Sequence, residues 1–320
     1  MPADASILEG PFVAAVSRSF YLSLRFLPPS VRTEITLAYL LARVTDTIAD
    51  SAHAPTSHRL ALLEQFPSVL SGHPAPGFFC EVATLAHDLQ HPGEQALLSL
   101  LPKVAGAFLQ LEVSARLLVR EVLQRILRGQ SLDLQRFSGR VPAALVSPSE
   151  LEEYTWLVAG CVGEFWSSIL DLKVPAWSRL PLAEMKALGR AYGEGLQLVN
   201  ILRDLPADLA HGRCYLPMSE LRTAGFSGDF ATWESQRETF QFVRNQWVEV
   251  AQSKLAAGRS YTAALRTWRL RLTAGLPWRI GTATLAKLLQ SPLHPTERIK
   301  VSRLHVYQLL MAGIVHAVRG

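Results

Sequence analysis

The sequence contains the motif Asp-x-x-x-Asp twice, as Asp46-Thr-Ile-Ala-Asp50 and as Asp204-Leu-Pro-Ala-Asp208, 158 positions apart. Each copy ends a long stretch in which apolar residues recur with the period of a helix. Side chains at i and i+4 share one face of a helix, so each copy places two carboxylates side by side. Carboxylate oxygens are the ligands that hard cations such as Mg²⁺ prefer. The chain is therefore expected to fold so that two helix ends face one another around a cation site.

Helical periodicity continues through nearly all of the 320 residues. Hydrophobic residues make up 49% of the chain and charged residues 18%, which predicts a large buried core and little disorder. No stretch alternates as a strand would, and no repeat or linker divides the chain. We therefore predict a single all-α domain over residues 1–320. The predicted helices cover residues 12–27, 29–50, 98–128, 148–172, 182–208 and 230–265.

Composition argues against several classes of protein. Cys80, Cys161 and Cys214 are widely spaced and odd in number, which is typical of reduced thiols and not of disulfides or a zinc site. The first residues lack the features of a secretory signal, and no apolar run reaches the roughly 20 residues of a membrane span. We predict a cytoplasmic protein in which residues 306–318 form a packed amphipathic helix; the alternative is that this helix makes a peripheral contact with a membrane. The net charge of +5 comes without a clustered basic run, so we predict no nucleic-acid partner.

The helix predicted to end at Asp50 carries further polar residues in line with its two carboxylates. Tyr39, Arg43, Asp46 and Asp50 lie at i, i+4, i+7 and i+11, which is one helical face. This set is unusual for a solvated face beneath an apolar stripe. A single carboxylate pair is nevertheless common by chance, so the interpretation of this helix depends on the second motif.

The second motif adds ligands for cations and for phosphate. The polar residues that share its helical face are Gln197, Asn200, Asp204 and Asp208. Asn200 offers an amide oxygen to a cation, Arg203 and Arg213 can bind phosphate oxygens, and Tyr215 can donate a hydrogen bond to the same group. Four carboxylates around one cavity repel one another unless cations neutralise them. The two motifs together predict a Mg²⁺–diphosphate site beside an apolar cavity; the alternative is two unrelated pairs of exposed carboxylates.

Four blocks of the sequence resemble the signature blocks of the squalene/phytoene synthase family, in that family's order and spacing. They are Ser17-Arg-Ser-Phe-Tyr21 and residues 39–50, 154–163 and 197–217. The most distinctive is Gln-x-x-Asn-x-x-Arg-Asp followed by Gly212-Arg-Cys-Tyr-Leu-Pro217. The resemblance extends from about residue 10 to about residue 310. It implies an isoprenoid-synthase-type helical bundle around a central cavity.

The resemblance implies a Mg²⁺-dependent prenyltransferase that joins two identical prenyl diphosphates head to head through a cyclopropylcarbinyl diphosphate. Residues 26–50 resemble squalene synthases more closely than phytoene synthases, so the favoured reaction makes squalene from two farnesyl diphosphates with NADPH as reductant. Phytoene synthase, acting on geranylgeranyl diphosphate, and dehydrosqualene synthase stay open as alternatives. So do two non-enzymes, a family-derived assembly factor and a lipid-binding helical module.

By motif position the resemblance also implies roles for individual residues. The metal ligands would be Asp46, Asp50, Asn200, Asp204 and Asp208, with Gln197 assisting. The diphosphates would be bound by Arg43, Arg203, Arg213 and Tyr215. The mouth of the site would be lined by Ser17, Arg18 and Phe20, and the carbocation would be faced by Tyr39 and Tyr154. The hydrocarbon channel would be lined by Val158, Ala159 and Gly163.

Some residues depart from the family pattern or admit a second interpretation. Ala49 stands where many members carry Glu, and we expect this to alter metal affinity while the principal carboxylate pair remains. Pro206 lies inside the second motif and is expected to loosen or kink that turn, because proline has no amide hydrogen. The small residues Ala159, Gly160 and Gly163 also predict tight packing against another helix.

Overall fold

Helices make up most of the part of the chain that the structure describes, which confirms the all-α class. The computed structural model describes residues 24–139, 141–295, 299 and 301–319. The first helices are α1 (Pro29–Asp50), α2 (Thr56–Leu70), α3 (Phe78–His87), α4 (Pro92–Ser99), α5 (Leu101–Leu109) and α6 (Val113–Arg136). After strand β1 (Ala143–Leu145) come α7 (Pro148–Thr155), a π-turn (Trp156–Gly160), α8 (Cys161–Lys173) and α9 (Leu182–Ala210). Strand β2 (Arg213–Pro217) is followed by α10 (Met218–Thr223), a 3₁₀ turn (Phe230–Thr232), α11 (Arg237–Ala264), α12 (Trp268–Gln290) and α13 (Arg303–Arg319).

Two predicted helices lie where expected, since α1 spans the predicted residues 29–50 and α9 contains the predicted residues 182–208. The prediction of one helix over residues 98–128 is wrong, because α4, α5 and α6 replace it. Pro102 lies in the first turn of α5, where its missing amide costs nothing, but it could not donate to a carbonyl of a continuous helix. The helix predicted to begin at residue 230 begins at Arg237, because the Asp229 side chain accepts from the Ala231 amide and caps a separate 3₁₀ turn. Most of the predicted helix 12–27 lies outside the described residues.

The described residues form two compact units. The first comprises the described residues up to Gln135 together with Ser168–Ala176, and the second comprises Arg136–Ser167 together with the described residues from Trp177 onward. The single domain over residues 1–320 stays a prediction. None of the described helices is both long and apolar enough to cross a membrane.

In the first unit, α1 packs against α2, α4 and α5. Its core-facing residues include Leu37, Leu41 and Val44, all fully buried. The less buried side of the same helix carries Arg43 and Asp46. Burial of one face thus decides which side of α1 presents the charged residues.

In the second unit, α9 packs against α11, α12, the π-turn and β2. Glycines on α9 let the neighbouring backbones approach without intervening side chains. A Cβ added to Gly163 of α8 would overlap the backbone of Gly189, and one added to Gly195 would lie 2.7 Å from the amide nitrogen of Leu255 on α11. The tight packing predicted for Gly163 is therefore what this crossing shows.

Strand β1, which precedes α7, pairs in parallel with strand β2, which follows α9, although the sequence pattern predicts no strand. The strands pair Ala143 with Arg213 and Ala144 with Cys214, and the register then shifts. With three and five residues the strands are too short to show an alternating pattern. Gly212 turns the chain from α9 into β2 with a φ of 75°, in the left-handed region that glycine adopts without strain.

Substituting Gly163→Ala tests the backbone contact. We expect the free energy of unfolding to fall by at least about 2 kcal/mol, because the added methyl group forces two packed helices apart. Urea denaturation measures this change. Gly106→Ala is the matched control, since a Cβ there meets open space on α5 and improves helix propensity by up to about 1 kcal/mol. Equal stability changes at the two positions would contradict the proposed contact.

Candidate active site

The first aspartate motif lies on the last two turns of α1, beside an arginine held by two carboxylates. Nη1 of Arg43 donates to Asp46 and its Nη2 donates to Oε1 of Glu94 on α4 at 2.6 Å. The side chains of Arg43 and Glu94 are each about three-quarters buried. Tyr39 lies one turn earlier on α1, close enough to help raise the pKa of Arg43. The structure thus brings Tyr39, Arg43 and Asp46 together and adds Glu94 to them.

Burial and charge oppose one another in this cluster. Burial alone would lower the pKa of Arg43, but the charges of Asp46 and Glu94 overcome this effect and raise that pKa above its ordinary value. Desolvation raises the pKa of Asp46 above its ordinary value, against the lowering influence of Arg43. A carboxylate whose anionic form is destabilised in this way gains from a cationic partner.

Asp50 is the last residue of α1 and is exposed. Ala49 is the residue before Asp50, and its carbonyl accepts a hydrogen bond from Nη1 of the buried Arg59 at 2.5 Å. Nη2 of Arg59 donates to Oγ1 of Thr56 at 3.0 Å. An arginine at this end of a helix offsets the partial negative charge of the final carbonyl groups. Ala49 itself is buried, so position 49 faces the core and not the carboxylate face.

The second motif lies on the last turns of α9. Arg203 donates to both oxygens of the neighbouring Asp204, from Nε at 3.0 Å and from Nη2 at 2.5 Å. Gln197 and Asp208 on the same helix are partly buried, and Asn200 is exposed. This motif therefore repeats the feature of the first, in which the leading aspartate is paired with an arginine of its own helix.

Pro206 does not end the helix that carries the second motif. The residue is buried inside α9, which continues to Ala210. Pro206 cannot donate a hydrogen bond to the carbonyl four residues earlier, so the helix loses one backbone hydrogen bond there. Only four residues of the helix follow Pro206, so this loss affects its last turn alone. Asp204 and Asp208 therefore lie within one helix, and the loosening or kinking expected at Pro206 stays a prediction.

Strand β2 carries the next two predicted residues, Arg213 and Tyr215. The Tyr215 ring is buried, stacks on the ring of Tyr154 with centroids 5.0 Å apart, and meets Phe137 edge to face at 5.2 Å. Cys214 lies between Arg213 and Tyr215 in the strand. Burial raises the pKa of its thiol to about 12, and the nearby charge of Asp208 acts in the same direction. Cys214 is therefore a protonated, unreactive thiol, which agrees with the prediction of free cysteines.

The residues predicted to line a hydrocarbon channel lie on the π-turn and at the start of α8. Val158 and Ala159 are partly buried. Gly163 lies against the backbone of Gly189, so its nearest neighbour is another helix of the same unit. A π-turn widens the helix by one residue per turn, and such turns recur at functional sites. The channel-lining role of these residues stays a prediction.

Other predicted residues lie outside what the structure describes, and some neighbours have no signal in the sequence. Ser17, Arg18 and Phe20 are outside the described residues. Glu94 escapes prediction because its contact with Arg43 spans 51 positions, a separation that leaves no local pattern. Phe137 escapes prediction because a lone aromatic residue after a helix carries no periodic signal. That the two aspartate motifs face one another also stays a prediction.

The oxygen atoms of each motif suit a Mg²⁺ ion whose other ligands are phosphate and water. Within either unit, the described residues contain no group of three His, Cys, Asp or Glu side chains placed to hold a metal ion by themselves. Mg²⁺ is usually bound through one or two carboxylates, with phosphate oxygens and water completing its octahedral shell. In each motif an aspartate lies beside an arginine, Asp46 beside Arg43 and Asp204 beside Arg203. This arrangement suits a Mg²⁺ ion that binds together with a diphosphate.

Comparison with known proteins gives the family. The family model for squalene/phytoene synthase matches residues 13–305. The chain belongs to the squalene/phytoene synthase family. A bifunctional lycopene cyclase/phytoene synthase of Colletotrichum graminicola is 28% identical over 67% of this chain and 35% of its own length. A presqualene diphosphate synthase of Zymomonas mobilis is 29% identical over 67% of this chain and 61% of its own length.

A solved structure shows the fold. The chain resembles TcSQS in complex with the ligand E5700, with a TM-score of 0.75 at 19% identity over 96% of this chain and 86% of that chain. An identity this low establishes the isoprenoid-synthase-type helical fold and no more. The match to the first curated relative covers about a third of that relative's length.

Substituting Glu94→Gln tests the carboxylate that the sequence does not reveal. We expect the Mg²⁺ concentration for half-maximal diphosphate release to rise about fivefold, because one nearby negative charge is lost and Arg43 turns more fully to Asp46. The same titration with Glu81→Gln, an exposed carboxylate on α3 that contacts His58, should match the wild type. An unchanged Mg²⁺ requirement in the Glu94 variant would show that Glu94 plays no part.

Substituting Tyr215→Phe tests the hydroxyl group separately from the ring. The ring keeps its contacts with Tyr154 and Phe137, so we expect the melting temperature to stay within about 2 °C of the wild type. The sequence predicts that Tyr215 donates a hydrogen bond to diphosphate, and on that prediction the loss of the hydroxyl group should lower kcat/KM about tenfold. Tyr215→Leu should also lower the free energy of unfolding, by about 1 kcal/mol, since it removes the stacked pair. Wild-type activity in Tyr215→Phe would assign the residue to packing alone.

Proposed function

We propose that this protein joins two prenyl diphosphates head to head, and that it makes squalene from two molecules of farnesyl diphosphate. The observation that carries the proposal is the repeated pairing of a leading aspartate with an arginine, Asp46 with Arg43 and Asp204 with Arg203, near the end of a long helix. Carboxylates bind hard cations, and arginine forks bind phosphate. The family of the chain supports this interpretation of the two motifs.

Binding of diphosphate would be shared among residues of both motifs. Asp46, Asp50, Asp204 and Asp208 would hold Mg²⁺, with Asn200 and Gln197 assisting. Bound Mg²⁺ supplies Lewis acidity that stabilises the negative charge of departing diphosphate. Arg43 and Arg203 present planar N–H forks next to the carboxylates, so each can turn its donors toward phosphate oxygens. Arg213 and Tyr215 on β2 would add further donors.

Aromatic side chains would protect and stabilise the prenyl carbocation left when diphosphate departs. The stacked rings of Tyr154 and Tyr215 present electron-rich faces, which attract a cation. Tyr39 would serve similarly beside the first motif. Partly buried Val158 and Ala159 would contact the hydrocarbon and keep water away from the cation, because water would convert it to an alcohol.

The choice of product rests on residues 26–50, which resemble squalene synthases. Squalene requires a hydride from NADPH to quench the last cation, whereas phytoene and dehydrosqualene arise by loss of a proton. One relative is a presqualene diphosphate synthase, so a reaction that stops at the cyclopropylcarbinyl diphosphate is the second candidate. Another relative is a bifunctional lycopene cyclase/phytoene synthase, and geranylgeranyl diphosphate is therefore the alternative substrate.

The decisive experiment supplies purified protein with farnesyl or geranylgeranyl diphosphate and Mg²⁺, with and without NADPH, and identifies products by mass spectrometry. We expect squalene from farnesyl diphosphate when NADPH is present. Presqualene diphosphate as the end product, or phytoene from geranylgeranyl diphosphate, would replace the squalene assignment. Failure to consume either substrate would overturn the prenyltransferase assignment. Diphosphate release that persists after chelation of Mg²⁺ would overturn the metal-binding role of the aspartates.

Variants at the aspartates link the reaction to the motifs. Asp204→Asn should lower kcat by about 10²–10³-fold, the usual loss when one group that stabilises developing charge is removed. Asp88→Asn is the matched control, because Asp88 is also a carboxylate at a helix end, as the C-cap residue that follows α3. Circular dichroism should show the same helix content in both variants. Comparable activity in the two would contradict a metal-binding role for Asp204.

A further inference from the structure

A buried carboxylate ties the π-turn to two other helices. Glu194 on α9 is only 4% exposed. Its Oε1 accepts from Nε of Arg190 at 2.8 Å, and its Oε2 accepts from Nζ of Lys254 on α11 at 2.6 Å. Both carboxylate oxygens therefore have cationic partners. None of these residues belongs to the aspartate motifs or to the diphosphate-binding set.

The same side chain lies directly against the π-turn. A Cβ added to Gly160, the last residue of that turn, would lie 2.9 Å from Cγ of Glu194. The guanidinium of Arg190 lies over the ring of Trp156, the first residue of the turn, at 5.4 Å from its centroid. Glu194 and its partner Arg190 thus contact the turn at both of its ends.

A π-turn needs such external contacts because π geometry is rare and occurs mostly as a single turn inside an α-helix, where packing from outside must hold it. Gly193 adds a second contact, since a Cβ there would overlap the carbonyl of Ala159. A buried carboxylate is seldom the most stabilising choice at a core position, even when cations pair with it, because an apolar residue of similar volume often does as well. A carboxylate at position 194 therefore points to a requirement for a defined position of the turn.

We infer that Glu194, held by Arg190 and Lys254, is a positioning residue that fixes the π-turn and thereby sets which hydrocarbon chain length the enzyme accepts. The inference rests on the proposed function, in which Val158 and Ala159 of the turn contact the hydrocarbon. The residues assigned to diphosphate binding are on α1, elsewhere on α9 and on β2. A change at Glu194 should consequently alter the discrimination between chain lengths more than the binding of the diphosphate.

The test compares wild-type protein with Glu194→Gln, which keeps the shape of the side chain but removes its charge. The readout is the ratio of kcat/KM for farnesyl diphosphate to kcat/KM for geranylgeranyl diphosphate. We expect this ratio to change at least about fivefold, and Glu194→Asp to restore it in part. A purely structural defect lowers the fraction of active enzyme and leaves the ratio unchanged, so the ratio separates the two roles.

Hydrogen exchange measured by mass spectrometry, without substrate, gives a second readout. We expect faster exchange in peptides that cover residues 156–163 of the Glu194→Gln variant, while peptides of α1 keep the wild-type rate. If Glu194→Gln fails to fold, Arg190→Gln takes its place. Arg190 is half-exposed and its substitution leaves the pair of Glu194 with Lys254 intact, so we expect a smaller effect of the same kind. Glu220→Gln, which removes a carboxylate partner of Trp247 in the same unit, is the matched control and should change neither readout.

Each outcome bears on the inference. An unchanged substrate ratio in Glu194→Gln overturns it, whether or not exchange becomes faster. An altered ratio with wild-type exchange also overturns it, because the π-turn would then not be the element that moves. If wild-type protein consumes neither diphosphate, the proposed function fails, and the exchange comparison alone decides whether Glu194 holds the turn.

Discussion

Direct contact between helix backbones along α9 is the constraint on which the second unit depends. Gly189, Gly193 and Gly195 occupy positions where a methyl group would overlap the neighbouring backbone or crowd it. Glycine in a helix interior costs about 1 kcal/mol relative to alanine, so the close packing at these crossings must offset several such losses. The close approach fixes the path of α9 against the π-turn and α11. That path determines where the carboxylates at its end are presented.

Those carboxylates lie at the end of the helix where the backbone is least able to stabilise them. Both aspartate motifs occupy the last turns of their helices, α1 and α9, where the helix dipole is negative. Each carboxylate there loses about 0.3–1 kcal/mol relative to a neutral position. Arg43, Arg59 and Arg203 supply compensating charge within hydrogen-bonding distance of the carboxylates or the final carbonyls. Concentrated negative charge is unfavourable for folding alone, and it is what a site for Mg²⁺ requires.

Those parts of the molecule that depend on local pattern could be predicted from the sequence. The limits of α1 follow from apolar periodicity and from a proline at the first turn, and the faces of both motifs follow from helical spacing. The division of residues 98–128 into separate helices follows from Pro102 only when that proline is given weight against the apolar pattern. The contact of Glu94 with Arg43, the two short strands and the π-turn depend on packing between distant segments. Nothing in the local sequence encodes such contacts.

The π-turn shows how a rule broken locally can serve the site. Residues 148–172 follow one helical period in sequence, yet the hydrogen bonds change register between Trp156 and Gly160. The change moves Tyr154 and the residues of α8 by one position relative to an unbroken helix, so the Tyr154 ring can stack on Tyr215 while Gly163 stays against Gly189. The less favourable turn therefore persists because packing on both sides of it, in one unit, favours it over the regular helix.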